Sequence, residues 1–267
     1  MEYLLKKPLI SVIINCYNGE KFLKNAIRSV LNQTYKNWEI IFFDNNSKDK
    51  SVKILKEFKD KRIKFYSSQN KDLLPLYKAR NLAIQKAKGK FITFLDVDDT
   101  WKKNKLSEQL NLSNKYPFIK IFYSNYDIFN QENKKSFLKY DYELPSGYIT
   151  QSLLNDYCIG ILTVFIDKKI FKKYKFNEKY NVIGDFDLLI KLSNKFKIIS
   201  VQKSLAVYRV HKKNYSKNIR IYLNEMLFWI KGNQKKLESK NMSLKNIKFY
   251  IFKLKIKLLI KNILSLF

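Results

Sequence analysis

The first hundred residues alternate strand and helix signals in a regular series that few folds accommodate. Leu9-Ile-Ser-Val-Ile-Ile14 is an apolar run of strand length, and residues 20–31 set Phe22, Leu23, Ala26, Ile27, Val30 and Leu31 at helical spacing. Trp38-Glu-Ile-Ile-Phe-Phe43 is a second strand, residues 48–58 a helix, and Ile63-Lys-Phe-Tyr66 a third strand. Residues 73–88 form a helix closed by Gly89, which leads into Phe91-Ile-Thr-Phe-Leu95. A β-α-β-α-β-α-β series predicts an α/β chain, with a mainly parallel, Rossmann-like sheet covered by helices. Ligands of such sheets bind at the carboxyl ends of the strands.

Those ends are polar. The strand at 91–95 stops in Asp96-Val-Asp98-Asp99, and Asp96 and Asp98 converge if extended geometry persists through Val97. Paired carboxylates suit a hard divalent cation that keeps positions open for a diphosphate; the plainer alternative is a strand end followed by an Asp99-Thr100 helix cap. The first strand runs into Asn15-Cys16-Tyr17-Asn18-Gly19-Glu20. There the Asn15 and Asn18 amides can bond a base or cap a helix, and Tyr17 offers a face for stacking. The second strand ends in Asp44-Asn45-Asn46-Ser47, a turn that can satisfy its own backbone. One parallel sheet sets Tyr17, Asp44 and Asp96 along one edge.

Beyond residue 102 the pattern loosens: a helix to about 115, a strand at 119–123, a polar stretch at 130–146 read as a substrate-facing loop, a buried strand at 159–166, a helix at 186–196 and a strand at 206–210. Residues 1–213 read as one domain, with a nucleotide-binding half at about 8–100 and an acceptor half at about 101–213. Residues 214–267 read as a basic helical extension. Within it Lys253, Lys257 and Lys261 share one helical face, while Phe252, Ile256, Leu259, Ile260 and Ile263 gather on another. Either this helix docks on the domain, or it lies in an anionic membrane interface, which is the favoured expectation.

The formal net charge of +30 invites a nucleic-acid reading. Only five of the 53 basic residues are arginine, the type that bidentate recognition favours, so no nucleic-acid partner is expected. Cys16 and Cys158 form no metal or disulfide pattern. The apolar run near Met1 is too short for a signal peptide, and no stretch is long enough to span a membrane. A cytoplasmic protein, peripheral on the inner face of the cytoplasmic membrane, is the expectation.

Ser11-Val-Ile-Ile-Asn-Cys-Tyr-Asn18, Ala26-Ile-Arg-Ser-Val-Leu-Asn-Gln-Thr34, Trp38-Glu-Ile-Ile with Asp44-Asn-Asn-Ser-Lys-Asp49, Ala79-Arg-Asn-Leu-Ala83 with Gly89, and Leu95-Asp-Val-Asp-Asp99 together resemble glycosyltransferase family 2 in order and spacing. The resemblance covers about residues 8–213. It implies the GT-A fold and transfer of a sugar, with inversion, from a nucleotide-sugar to a hydroxyl of a glycan or lipid-linked acceptor in cell-surface polysaccharide or lipooligosaccharide biosynthesis. Tyr17 then stacks on the donor base, within a loop that includes Asn15, Asn18 and Glu20, and Asp44 and Asn45 lie beside base and ribose. Asn45 stands where relatives often carry an acid, and its amide, both donor and acceptor, fixes the base less closely than an acid pair; uridine remains the lead, with thymidine and guanosine open. Arg80 faces the nucleotide or diphosphate. Asp98 is the direct ligand of Mn2+ or Mg2+, Asp96 lies nearer the ribose or a metal-bound water, and His211, within Tyr208-Arg-Val-His-Lys-Lys-Asn-Tyr-Ser216, approaches the metal with support from Arg209. Gly184-Asp-Phe-Asp-Leu188 resembles a segment that often begins with Glu. Asp185 matches its general base, and Asp187 is a first-turn helix acid. The alternatives are a sugar-phosphate nucleotidyltransferase, which would carry a glycine-rich first loop, and a non-catalytic basic protein that binds nucleic acid or a membrane surface.

Overall fold

The computed structural model describes residues 7–68 and 72–264. The start of the N-terminal run and the last three residues of the expected terminal helix lie outside these. Strands β1 (Ile10–Cys16), β2 (Trp38–Asp44), β3 (Ile63–Ser67) and β4 (Phe91–Phe94) pair in parallel in the order β3-β2-β1-β4. β1 and β2 are buried at every residue, as apolar strands covered on both faces must be. Helices α1 (Leu23–Leu31), α2 (Ser51–Glu57) and α3 (Leu76–Lys86) connect them.

Past β4 the sheet becomes mixed. It gains β5 (Thr100–Trp101), β6 (Ile121–Asn130), β7 (Ser136–Leu138), β8 (Phe165–Asp167) and β9 (Ile198–Val210), with β8 antiparallel to both β4 and β6 and β9 parallel to β6. Helices α4 (Lys105–Lys115), α5 (Thr150–Asn155) and α6 (Gly184–Ser193) cover this half, followed by α7 (Ile219–Glu238) and α8 (Lys245–Leu264).

Several expected bounds move for local reasons. α1 begins at Leu23 rather than residue 20, because Glu20 is engaged by the next loop: its N–H donates to Asp49 (2.9 Å) and its carboxylate accepts from the Lys50 N–H (2.9 Å). α3 starts after Pro75, whose missing N–H suits a helix entry. The buried strand expected at 159–166 is a 3-10 turn, Ile161–Thr163, followed by the short β8. The stretch 130–146 is no open loop: β7 pairs with β6, Asn125 donates to the Tyr140 carbonyl (2.7 Å), and Leu144 is buried. The Asp99-Thr100 cap is absent, because Thr100 enters β5.

α8 docks on the domain and leaves a second apolar face exposed. It docks through Ile247, Ile251 and Leu254, whereas Phe252, Ile256, Leu259, Ile260 and Ile263, the face singled out from the sequence, stay exposed. No helix of the described residues is long and apolar enough to cross a membrane.

Candidate functional site

The acids after β4 do not remain extended. The Asp99 N–H donates to the Asp96 carbonyl (3.1 Å), closing a turn that sends the two D-x-D carboxylates to different partners. Asp96 pairs with the guanidinium of Arg80 at 2.5 Å. Arg80 is 2% exposed and packs against the rings of Tyr77, Phe94 and Phe176, so it is no surface arginine. Asp98 meets His211, with Nε2 3.0 Å from Oδ2, and the Asn214 amide donates to the same oxygen (3.2 Å). Burial raises the Asp98 carboxyl, Asp96 adds to the rise, and the His211 hydrogen bond opposes it.

Asp99 is buried, and burial with Asp98 and Asp96 nearby holds its carboxyl well above the usual range. Its Oδ1 accepts from the Arg209 N–H (2.8 Å), while the Arg209 side chain donates to the Asp98 carbonyl (2.8 Å) and to Gln131 (2.7 Å). Arg209 therefore braces the turn that carries Asp98.

On the neighbouring strands, Tyr17 is half exposed at the end of β1, with its ring available for stacking. Asn18 (φ +52°) accepts from the Lys48 N–H (2.8 Å), joining the loops after β1 and β2. Asn15 is buried with both amide atoms unpaired, and Asp44 keeps one unpaired buried oxygen. Gly19 touches the D-x-D turn: a Cβ there would lie 2.9 Å from Val97. Asn45, expected beside the base and ribose, spends its side chain on the chain that precedes α3. Its amide donates to the Leu74 carbonyl (2.9 Å) and accepts from the Leu74 N–H (3.0 Å), a pair of bonds no carboxylate can make.

Asp185 opens α6, partly exposed. Its Oδ1 accepts from the Phe186 N–H (2.9 Å) and lies 3.1 Å from the Tyr77 hydroxyl, leaving Oδ2 without a partner among the described residues. Burial raises this carboxyl; Arg80, the Phe186 N–H and Tyr77 lower it, and Asp96 raises it again. Arg80 and Asp96 therefore both act on Asp185. Asp187 is buried and consumed, accepting from Trp229 Nε1 (3.1 Å) and Lys191 Nζ (2.6 Å). The loop before α6 is held by a residue the motifs miss: the Glu225 carboxylate on α7 accepts from the N–H groups of Asn181 (2.6 Å), Val182 (2.9 Å) and Ile183 (3.0 Å). Glu225 lies on the apolar stripe of Tyr222, Met226 and Trp229, and an acid in that position is the signal that marks it.

Among the described residues no three His, Cys, Asp or Glu side chains converge on one point. Asp98 and His211 still suit a divalent ion that takes its other ligands from water and a diphosphate. Their 3.0 Å contact sets an imidazole nitrogen and a carboxylate oxygen, both ligand types for such an ion, side by side. The Lys213 N–H points at His211 Nδ1 (3.2 Å), which assigns the ring proton to Nε2; ligation there requires the proton to move to Nδ1.

A parallel β3-β2-β1-β4 half continued by a mixed half, with acids at the shared edge, defines the GT-A fold. The family model "Glycosyl transferase family 2" matches residues 11–185, and the chain belongs to that family of glycosyltransferases. It is 33% identical over 210 residues, 79% of the chain and 80% of the relative, to Escherichia coli WfgD, named as a UDP-Glc:alpha-D-GlcNAc-diphosphoundecaprenol beta-1,3-glucosyltransferase. Its fold is similar to that of Staphylococcus aureus TarS 1–349 in complex with UDP (TM-score 0.62, 20% identity, 82% of this chain and 65% of that one). It is also similar to the mannosyltransferase PcManGT from Pyrobaculum calidifontis in complex with GDP-Man and Mn2+ (TM-score 0.63, 12% identity, 92% and 70%). Family membership displaces both the nucleotidyltransferase and the non-catalytic alternatives.

Proposed function

We propose that the enzyme transfers a sugar from a UDP-linked donor to a hydroxyl of a lipid-linked glycan, with inversion, in the assembly of a cell-surface polysaccharide. The observation that carries this is the distribution of acids around Arg80: Asp96 is paired to it, Asp98 is turned the other way to His211, and Asp185 lies on the acceptor side with Oδ2 unengaged. Tyr17 stacks on the base, with Asn15 and Asp44 offering their unpaired polar atoms beside it. Asn18, Glu20 and Asn45 act one step back, by fixing the loops that form the nucleotide pocket. WfgD acts on a UDP-sugar, and UDP occupies TarS, which supports uridine.

Asp98 and His211 hold Mn2+ or Mg2+, and the ion when bound neutralises charge on the departing nucleoside diphosphate. Asp96, neutralised by Arg80, lies nearer the ribose. Asp185 Oδ2 takes the proton of the acceptor hydroxyl as that oxygen attacks the face opposite the diphosphate. Burial raises its pKa, which strengthens it as a base. The acceptor is presented at the inner face of the cytoplasmic membrane, with the exposed face of α8 against the lipid.

The test is a panel of nucleotide-sugars with a GlcNAc-diphospholipid acceptor and Mn2+ or Mg2+, scored for released nucleoside diphosphate in the wild type and in Asp98→Ala and Asp185→Ala. Metal-dependent turnover of a UDP-sugar, lost in both variants, is expected. Turnover of a GDP- or dTDP-sugar alone overturns the uridine assignment, and full activity of Asp185→Ala overturns the base.

A further inference from the structure

We propose that Tyr77 is a positioning residue for Asp185, fixing one oxygen of the base so that the other meets the acceptor. This rests on the reading of Asp185 as the base. The Tyr77 hydroxyl carries one proton and faces two acceptors, Asp185 Oδ1 (3.1 Å) and the Val182 carbonyl (3.0 Å). While Asp185 is ionised its carboxylate is the stronger acceptor and takes that proton. After Oδ2 has received the acceptor's proton, Oδ1 is carbonyl-like, and the hydroxyl turns to Val182. Tyr77 thus holds Oδ1 while the base is ionised, which leaves Oδ2 as the oxygen that meets the acceptor.

The ring is fixed in this position. Tyr77 is 2% exposed, stacks on Phe176 at 5.2 Å, and fills the space over Gly184, where a Cβ would fall within the ring. Gly184, the departure from the resembled pattern, is the complement of this tyrosine. One helical turn on, Arg80 of the same helix grips Asp96, so the i, i+3 pair of α3 holds the base with one residue and the donor-side acid with the other. The titratable and charged groups facing Asp185 are Tyr77 and Arg80 of α3, Asp96 of the turn, Tyr157, and Tyr222 of α7.

The experiment is the single-turnover transfer rate against pH for the wild type, Tyr77→Phe, Asp185→Asn and the double variant. Phe keeps the packing and removes only the hydroxyl. Tyr77→Phe is expected to lower the rate roughly tenfold at unchanged donor KM and to move the acid limb up by about one pH unit, as a carboxylate does on losing one hydrogen bond. In the Asp185→Asn background the same change is expected to cost nothing further. If Asp185→Asn is inactive and Tyr77→Phe leaves the acid limb in place, the positioning role fails while the base stands. If Asp185→Asn retains the wild-type rate, the base reading fails and this inference falls with it.

Discussion

Asn45 spends both halves of its amide on the backbone of Leu74, tying the chain that precedes α3 to the end of β2. Asn45→Asp sets a carboxylate against the Leu74 carbonyl, so a cost of about 1–3 kcal/mol, read as a lower melting temperature, is expected with a raised donor KM. At the metal pair, His211→Ala is expected to raise the Mn2+ or Mg2+ concentration for half-maximal activity by about tenfold or more, measured by metal titration of turnover. Residue types explain what could be read in the sequence. The single histidine, a scarce arginine at position 80 and acids at strand ends were all legible, and the structure brings Asp96 to Arg80 and Asp98 to His211. Extended geometry through Val97 was not legible as false, because the turn depends on Arg209 arriving from β9. Nor could Tyr77 be distinguished among 18 tyrosines, since its partners lie more than a hundred residues away.

Among the elements, α7 carries more of the site than its place in a terminal extension suggests. Glu225 gathers three backbone N–H groups ahead of Asp185, and Trp229 donates to Asp187 two residues after it. Glu225→Gln removes the charge and one oxygen, which costs about 1–3 kcal/mol of stability. It should lower kcat while leaving donor KM near the wild-type value, as steady-state kinetics can check. At the start of α4, Lys105 is fully buried with no carboxylate partner, bonded to Thr93 (3.0 Å) and Gln109 (2.7 Å), and burial drives its ammonium pKa well below 10.5. The unfolded chain then binds a proton that the folded chain lacks, so this residue makes stability rise with pH up to about 10.5 and fall below it. Denaturant melts of wild type and Lys105→Met across that range should show the variant's relative stability greatest at neutral pH and shrinking as pH rises. The apolar runs of β1 and β2 are legible in the sequence nearly to their ends. β7 was missed because all three of its residues are exposed, so no alternation marks it. β8 was overread because buried apolar residues around a 3-10 turn resemble a strand.

At the scale of the whole molecule, the net charge of +30 and the exposed face of α8 bear on where the enzyme works. α8 carries six lysines and no acid, and beside them Phe252, Ile256 and Ile260 are 56%, 43% and 51% exposed. A helix already anchored by Ile247, Ile251 and Leu254 does not need this second apolar face for its own packing. Lysines near an anionic surface contribute about 1 kcal/mol each, and apolar side chains entering the interface add to that. The protein should therefore float with vesicles containing phosphatidylglycerol, bind phosphatidylcholine vesicles weakly, and lose binding as salt rises past the screening range. Phe252→Asp combined with Ile256→Asp should abolish flotation without changing turnover of a water-soluble acceptor; equal flotation of the variant would refute the interface. α8 meets α5 through Asn246 and Asn155 (3.0 Å), and just beyond α5 the ring of Tyr157 packs on Phe186, next to Asp185. Where the acceptor is carried on lipid and α8 rests on the membrane, the double variant should lose activity toward the lipid-linked acceptor while keeping it toward the soluble one.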